Sequence, residues 1–101
     1  MSAPTAPSPR FNRTSSAGQV IYAVRSWEGD EEDINLYTTL RGAKYGASNA
    51  ALDMCEANDP ELFNELEKIH DPDEVLYLFD ENVTNSQGWG GVSIVPTVAP
   101  R

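Results

Sequence analysis

Apolar residues appear late in this chain and in short bursts, and the rhythm of each burst predicts its structure. Val20-Ile21-Tyr22-Ala23-Val24 is continuous and rich in β-formers, a pattern that fits a strand buried on both faces. Ile34-Asn35-Leu36-Tyr37-Thr38 alternates, with Ile34, Leu36 and Thr38 on one side, and predicts a second, half-buried strand. Between them Glu28-Gly29-Asp30-Glu31-Glu32-Asp33 sets five acids around a glycine. Mutual repulsion makes that stretch an exposed connection, so the two strands read as an antiparallel hairpin.

The period then changes from two to nearly four. Ala43, Ala47, Ala50 and Met54 share one stripe of a helix that Thr38 or Thr39 can cap. Gly42 and Gly46 each cost a helix about 1 kcal/mol relative to alanine, so they point to close backbone packing. Asn58-Asp59-Pro60-Glu61 opens a second helix, with Asp59 as cap and Pro60 at the first helical position. Its apolar face is Leu62, Phe63, Leu66 and Ile69, and it is expected to end near His70, ahead of Asp71-Pro72. Val75-Leu76-Tyr77-Leu78-Phe79 predicts a third strand, Asp80 to Gly91 a loop, and Val92-Ser93-Ile94-Val95 a fourth strand stopped by Pro96.

The expected fold class is therefore α+β: a four-stranded antiparallel sheet in the order β-β-α-α-β-β, with two helices on one face. Strands one and three are apolar on both faces, yet helices on one side satisfy only one set. The other face then needs cover from the chain ends or from another molecule.

Ahead of the first strand, residues 1–18 hold Pro4, Pro7 and Pro9 among Ser, Thr and Ala, with Phe11 the only bulky apolar side chain. Nothing there offsets the entropy of ordering, so the division is a disordered leader, 1–18, and a single small domain, 19–101. Within the leader, Arg10-Phe11-Asn12-Arg13-Thr14-Ser15-Ser16 suits a short motif open to a basic-directed kinase.

Charge narrows the function classes. All sixteen acids lie at or beyond Glu28, and residues 19–101 carry five basic residues against sixteen acidic, a net of −11. Such a field repels nucleic acid and anionic membrane and favours basic partners or cations. The lone Cys55 excludes an intrachain disulfide, and the start lacks the basic and apolar regions of a secretory signal. An intracellular, cytoplasmic domain is expected.

From Gln19 to about Glu56, the strand Val20–Val24, the acidic loop and the run Ile34-Asn35-Leu36-Tyr37-Thr38-Thr39-Leu40-Arg41-Gly42-Ala43 resemble small uncharacterised α+β domains of fungi and phages. These share a hairpin whose second strand ends in an aromatic residue, followed by a Thr- or Ser-started helix with an early alanine. The resemblance implies a small α+β domain and carries no activity; Gly42 and Gly46 depart from its pattern.

Candidate chemistry is sparse. His70, beside Asp71, Asp73 and Glu74, is the only histidine, and its place at a helix C-terminus has an ordinary electrostatic reason. One cysteine and one histidine cannot make a zinc site of ordinary composition. The consecutive acids 28–33 lack the alternating ligand spacing of a calcium loop, and Gly88-Trp89-Gly90-Gly91 lacks the Lys-Ser/Thr of a phosphate loop. No catalytic residue, metal or cofactor is expected. Trp89, among three glycines in a twelve-residue loop, is either a contact residue or a cover for the open sheet face, and Trp27 shares the ambiguity.

The expectation is a non-enzymatic acidic module that binds a protein partner, basic in character, or a second copy of itself as a homodimer. Its contact residues are Trp27, Glu28, Asp30, Glu31, Glu32, Asp33 and Trp89. The alternatives are an inhibitor whose acids imitate DNA phosphates, resting on eleven acids between Asp53 and Glu81 against Lys68 alone, and a small hydrolase working through carboxylates.

Overall fold

A computed structural model describes residues 20–98; the proposed leader, 1–18, lies outside them. The order of elements is β1 (Val20–Glu28), β2 (Glu31–Tyr37), α1 (Leu40–Asn58), α2 (Pro60–Leu66), α3 (Pro72–Phe79), one π-helical turn (Asp80–Thr84) and β3 (Gly90–Val98). The class is α+β, with three helices and a three-stranded antiparallel sheet in the order β2-β1-β3. Four strands were expected, and one of them is a helix.

That element is Val75–Phe79, which lies in α3. Asp71-Pro72-Asp73-Glu74 repeats the start signature of Asp59-Pro60-Glu61: the Asp71 side chain accepts a hydrogen bond from the Asp73 N–H at 3.1 Å, and Pro72 opens the helix. Val75, Phe79 and Val83 are buried, whereas Tyr77 is 63% exposed. Burial at steps of four marks a helical face. Pro72 thus starts a helix, and α2 stops earlier than expected, at Leu66, with Ile69 N–H bonded back to the Leu66 carbonyl at 3.0 Å. His70 accordingly sits exposed on the linker to α3, four residues beyond the end of α2.

Strand limits differ as well. The acids expected in an exposed connection are mostly strand residues: Glu28 ends β1 and Glu31-Glu32-Asp33 open β2. Gly29, at φ 59°, permits a turn of only two residues, Gly29-Asp30. The stretch expected as a loop from Asp80 shortens to the π-helical turn plus residues 85–89. β3 runs through Pro96, opposite Tyr22 in β1. Proline is tolerated because β3 is an edge strand.

Helix α1 lies against the sheet through Ala43 and Ala47, both fully buried, while Ala51 is buried among the helices. Its cap is Thr39, whose Oγ1 accepts from the Gly42 N–H at 3.0 Å. A Cβ on Gly46 would collide with the Tyr37 ring, 2.9 Å from Cε1, so that glycine lets the β2 aromatic approach the helix closely. One core cluster joins Val24 to Ala43 and Ala47, flanked by Tyr22, Tyr37, Leu76, Val92 and Ile94. The other fills the space among the three helices, around Met54, Cys55, Leu62, Leu66, Val75, Phe79 and Val83. Both lie on one side of the sheet. No helix among the described residues is long and apolar enough to cross a membrane.

Candidate functional site

Residues directly opposed in a sheet share a face, so the register assigns every hairpin side chain to a side. Val24 pairs with Asn35 and Ile94, and Tyr22 with Tyr37; this set faces the helices. The remaining set, Ile21, Ala23, Arg25 and Trp27 with Glu32, Ile34 and Leu36 and with Gly91, Ser93, Val95 and Thr97, forms the outer face, on which Ile21 is buried. Among the described residues no helix packs there. Ile34 is 60% exposed, Leu36 62% and Val95 48%. The alternation of Ile34 and Leu36 was legible, but their expected burial is corrected: Tyr37 takes the inward place, over Gly46.

The turn end of this face is polar and ordered. The Arg25 guanidinium lies 4.7 Å from the centre of the Trp27 ring and its Nε pairs with the Glu32 carboxylate. The Trp27 indole occupies the space above Gly91, where a Cβ would sit 2.6 Å from Cε2. Gly90, the next residue inward, has no room either: its Cβ would lie 2.8 Å from the Trp27 carbonyl oxygen and 3.4 Å from Met54 Sδ.

On the helix side of the same hairpin an open cleft of about 210 Å³ runs between the strand ends and α1. Ala50 and Met54 line it, with Glu28, Glu31, Asp33 and Asp53 around it. Glu28 and Glu31 are direct cross-strand partners, a like-charge pair that weakens a hairpin. The Asn58 amide donates to Glu28 and, at 2.9 Å, to the Met54 carbonyl. Among the described residues no group of three or more His, Cys, Asp or Glu side chains is arranged to hold a metal ion.

The expected contact residues are therefore divided. Trp27 and Glu32 are on the outer face, Glu28, Glu31 and Asp33 line the cleft, and Asp30 is exposed in the turn. Trp89 is elsewhere: it meets Phe79 edge to face at 5.9 Å and 84°, and its indole N–H donates to Gln87 Oε1 at 2.9 Å. Its carbonyl accepts from the Gly29 N–H at 3.1 Å, tying the segment to the hairpin turn. Trp89 thus packs against the helical core and not over the open sheet face. Arg25, Ile34, Leu36, Val95 and Asp53 were not singled out from sequence; cross-strand register is the signal that would have found them.

Cys55 is fully buried in the helical cluster. Burial, with Asp59 adding repulsion, pushes its thiol up to about 11, so at neutral pH it is protonated and a weak nucleophile. His70 is exposed on a linker, so no thiol–imidazole pair is assembled in the helical core. No known protein family, curated protein or solved structure matches the chain.

Proposed function

We propose that this chain is a non-enzymatic acidic interaction module that docks a protein, a second copy included, on the outer face of its sheet. The observation that carries the reading is the contiguous group Ile34, Leu36, Ala23 and Val95, three of them about half exposed or more, on a face without a helix. Single exposed leucines are common on proteins, but a joined apolar patch rimmed by Arg25, Trp27 and Glu32 is the usual anatomy of an interface. Trp27 and Arg25 belong to the two residue types most enriched where binding energy concentrates.

Leu36→Glu is the test, because an exposed edge-strand substitution alters the face with little effect on the core. Partners held by the wild-type chain in low and high salt should be lost from the variant, and any dimer seen by sedimentation at tens of micromolar should dissociate. Capture that ignores Leu36→Glu and vanishes with salt would instead support the imitation of DNA phosphates.

A further inference from the structure

We propose that the free edge of β2 accepts a basic extended peptide as a fourth strand, with basic and apolar residues alternating along it. The inference rests on the sheet-face reading and names the partner's chemistry. β2 is an edge strand, so among the described residues its outward N–H and C=O groups have no ladder partner, and residues 31–36 are all exposed. Adding a strand satisfies those groups, and the side chains set the specificity.

The two faces of β2 ask for different residues. On the helix side it presents Glu31 and Asp33 over the cleft, with Glu28 and Asp53 across it. Among the described residues the ion pairs are Arg25–Glu32 and Lys44–Asp73, so none of these four carboxylates meets a cation. An incoming lysine or arginine relieves the Glu28–Glu31 repulsion and lays its aliphatic stem against Ala50 and Met54. On the outer side Glu32 is already neutralised by Arg25, and Ile34 and Leu36 follow. A strand opposite β2 therefore places basic residues against Glu31 and Asp33 and apolar ones against Ile34 and Leu36. A second copy is disfavoured as occupant, since it brings the same net −9 to the acidic edge.

The probe is a fluorescent heptapeptide alternating lysine with valine or leucine, titrated into the full chain at about 0.15 M salt, where screening reaches about 8 Å. The comparison is a peptide of the same composition with its lysines in one block. We expect the alternating peptide to bind about tenfold tighter or more, a difference of about 1.4 kcal/mol. Glu31→Gln with Asp33→Asn should weaken it about tenfold, and Leu36→Ser comparably, with far-UV spectra confirming that both variants fold. Against the wild-type chain, N-methylation of alternate backbone nitrogens, made in both phases, should abolish binding in one phase.

Equal binding by the block peptide, or indifference to N-methylation in both phases, overturns the inference, since bulk charge would then suffice. A dimer that excludes the peptide assigns the edge to a second copy, and tighter binding by a synthetic peptide of residues 1–19 assigns it to the chain's own leader; either result overturns it too. If the peptide fails while Leu36-dependent partner capture persists, only the edge inference falls. If both fail, the sheet-face reading falls with it.

Discussion

Gly91→Ala puts a methyl group where the Trp27 indole lies, within 2.6 Å of Cε2 and closer still to Cζ2. Gly91 does not have a positive φ, so the backbone tolerates alanine, and in the unfolded chain the change stabilises by about 0.4–1 kcal/mol. Against that stands overpacking, which costs about 1–3 kcal/mol where a rigid group must move. The indole cannot slide without leaving the Arg25 guanidinium stacked 4.7 Å away, a contact that contributes about 0.5–1 kcal/mol at an exposed site. The net expectation is a loss of about 1–2 kcal/mol, a fall in Tm of roughly 4–16 °C for a domain of this size.

Urea titration followed by far-UV circular dichroism measures the loss, and a double-mutant cycle assigns it. With Trp27→Ala as background, Gly91→Ala should become neutral or stabilising, a coupling of more than about 1 kcal/mol. Gly90→Ala is the internal control: its clash is with the Trp27 carbonyl, a backbone atom, so Trp27→Ala should not rescue it. A Gly91→Ala chain as stable as wild type, with no coupling to residue 27, would refute the placement of the indole and with it the polar end of the outer face.

Cys55 gives a pH dependence with a definite sign. Its thiol is raised from 9.0 to about 11 by burial and by Asp59, so above pH 9 the unfolded chain loses its proton first and binds fewer than the folded one. Stability from this group is whole below pH 9 and declines as pH rises towards 11, by up to about 1.4 kcal/mol per unit; a Cys55→Ala chain showing the same decline in urea midpoint would contradict this. Asp71→Ala should cost about 1 kcal/mol by removing the cap on Asp73 N–H, while Asp71→Asn should retain most of it. Equal losses from the two variants would mean that the cap does not hold α3.

The two Asp-Pro pairs show how far the fold was legible. From sequence Asp59-Pro60 reads as a helix start and Asp71-Pro72 as a stop, although both open helices. A five-residue apolar run such as Val75–Phe79 satisfies a buried strand and a buried helix alike; only Val83, four residues beyond Phe79 and buried with it, extends the helical spacing. The hairpin, the Thr39 cap and the need for close packing at Gly46 were accessible because each depends on neighbours in sequence. For the site, the acidic run was visible but its division was not. Which acids face the cleft depends on a two-residue turn, and Asp53 reaches that cleft only once α1 has docked. The exposure of Ile34 and Leu36 was hidden for the same reason, since alternation separates two faces without saying which one the helices take.

The sheet also has a history built into its order. β1 lies in the middle, yet its two partners come at very different chain distances: β2 follows after two residues, and β3 pairs across the span from Glu28 to Gly90. Closing that long loop must await the helices, and the entropy of closure grows with the logarithm of its length. At about 5–20 residues per second, a ribosome needs roughly 3–12 s to extend the chain from β1 to the start of β3. Throughout that interval Tyr22–Val24 can pair on one side only, and Val20 and Ile21 on neither. The nascent chain therefore passes through a stage in which its central strand is a temporary edge. Any factor that shields it works in those seconds, before residues 90–98 emerge to close the sheet.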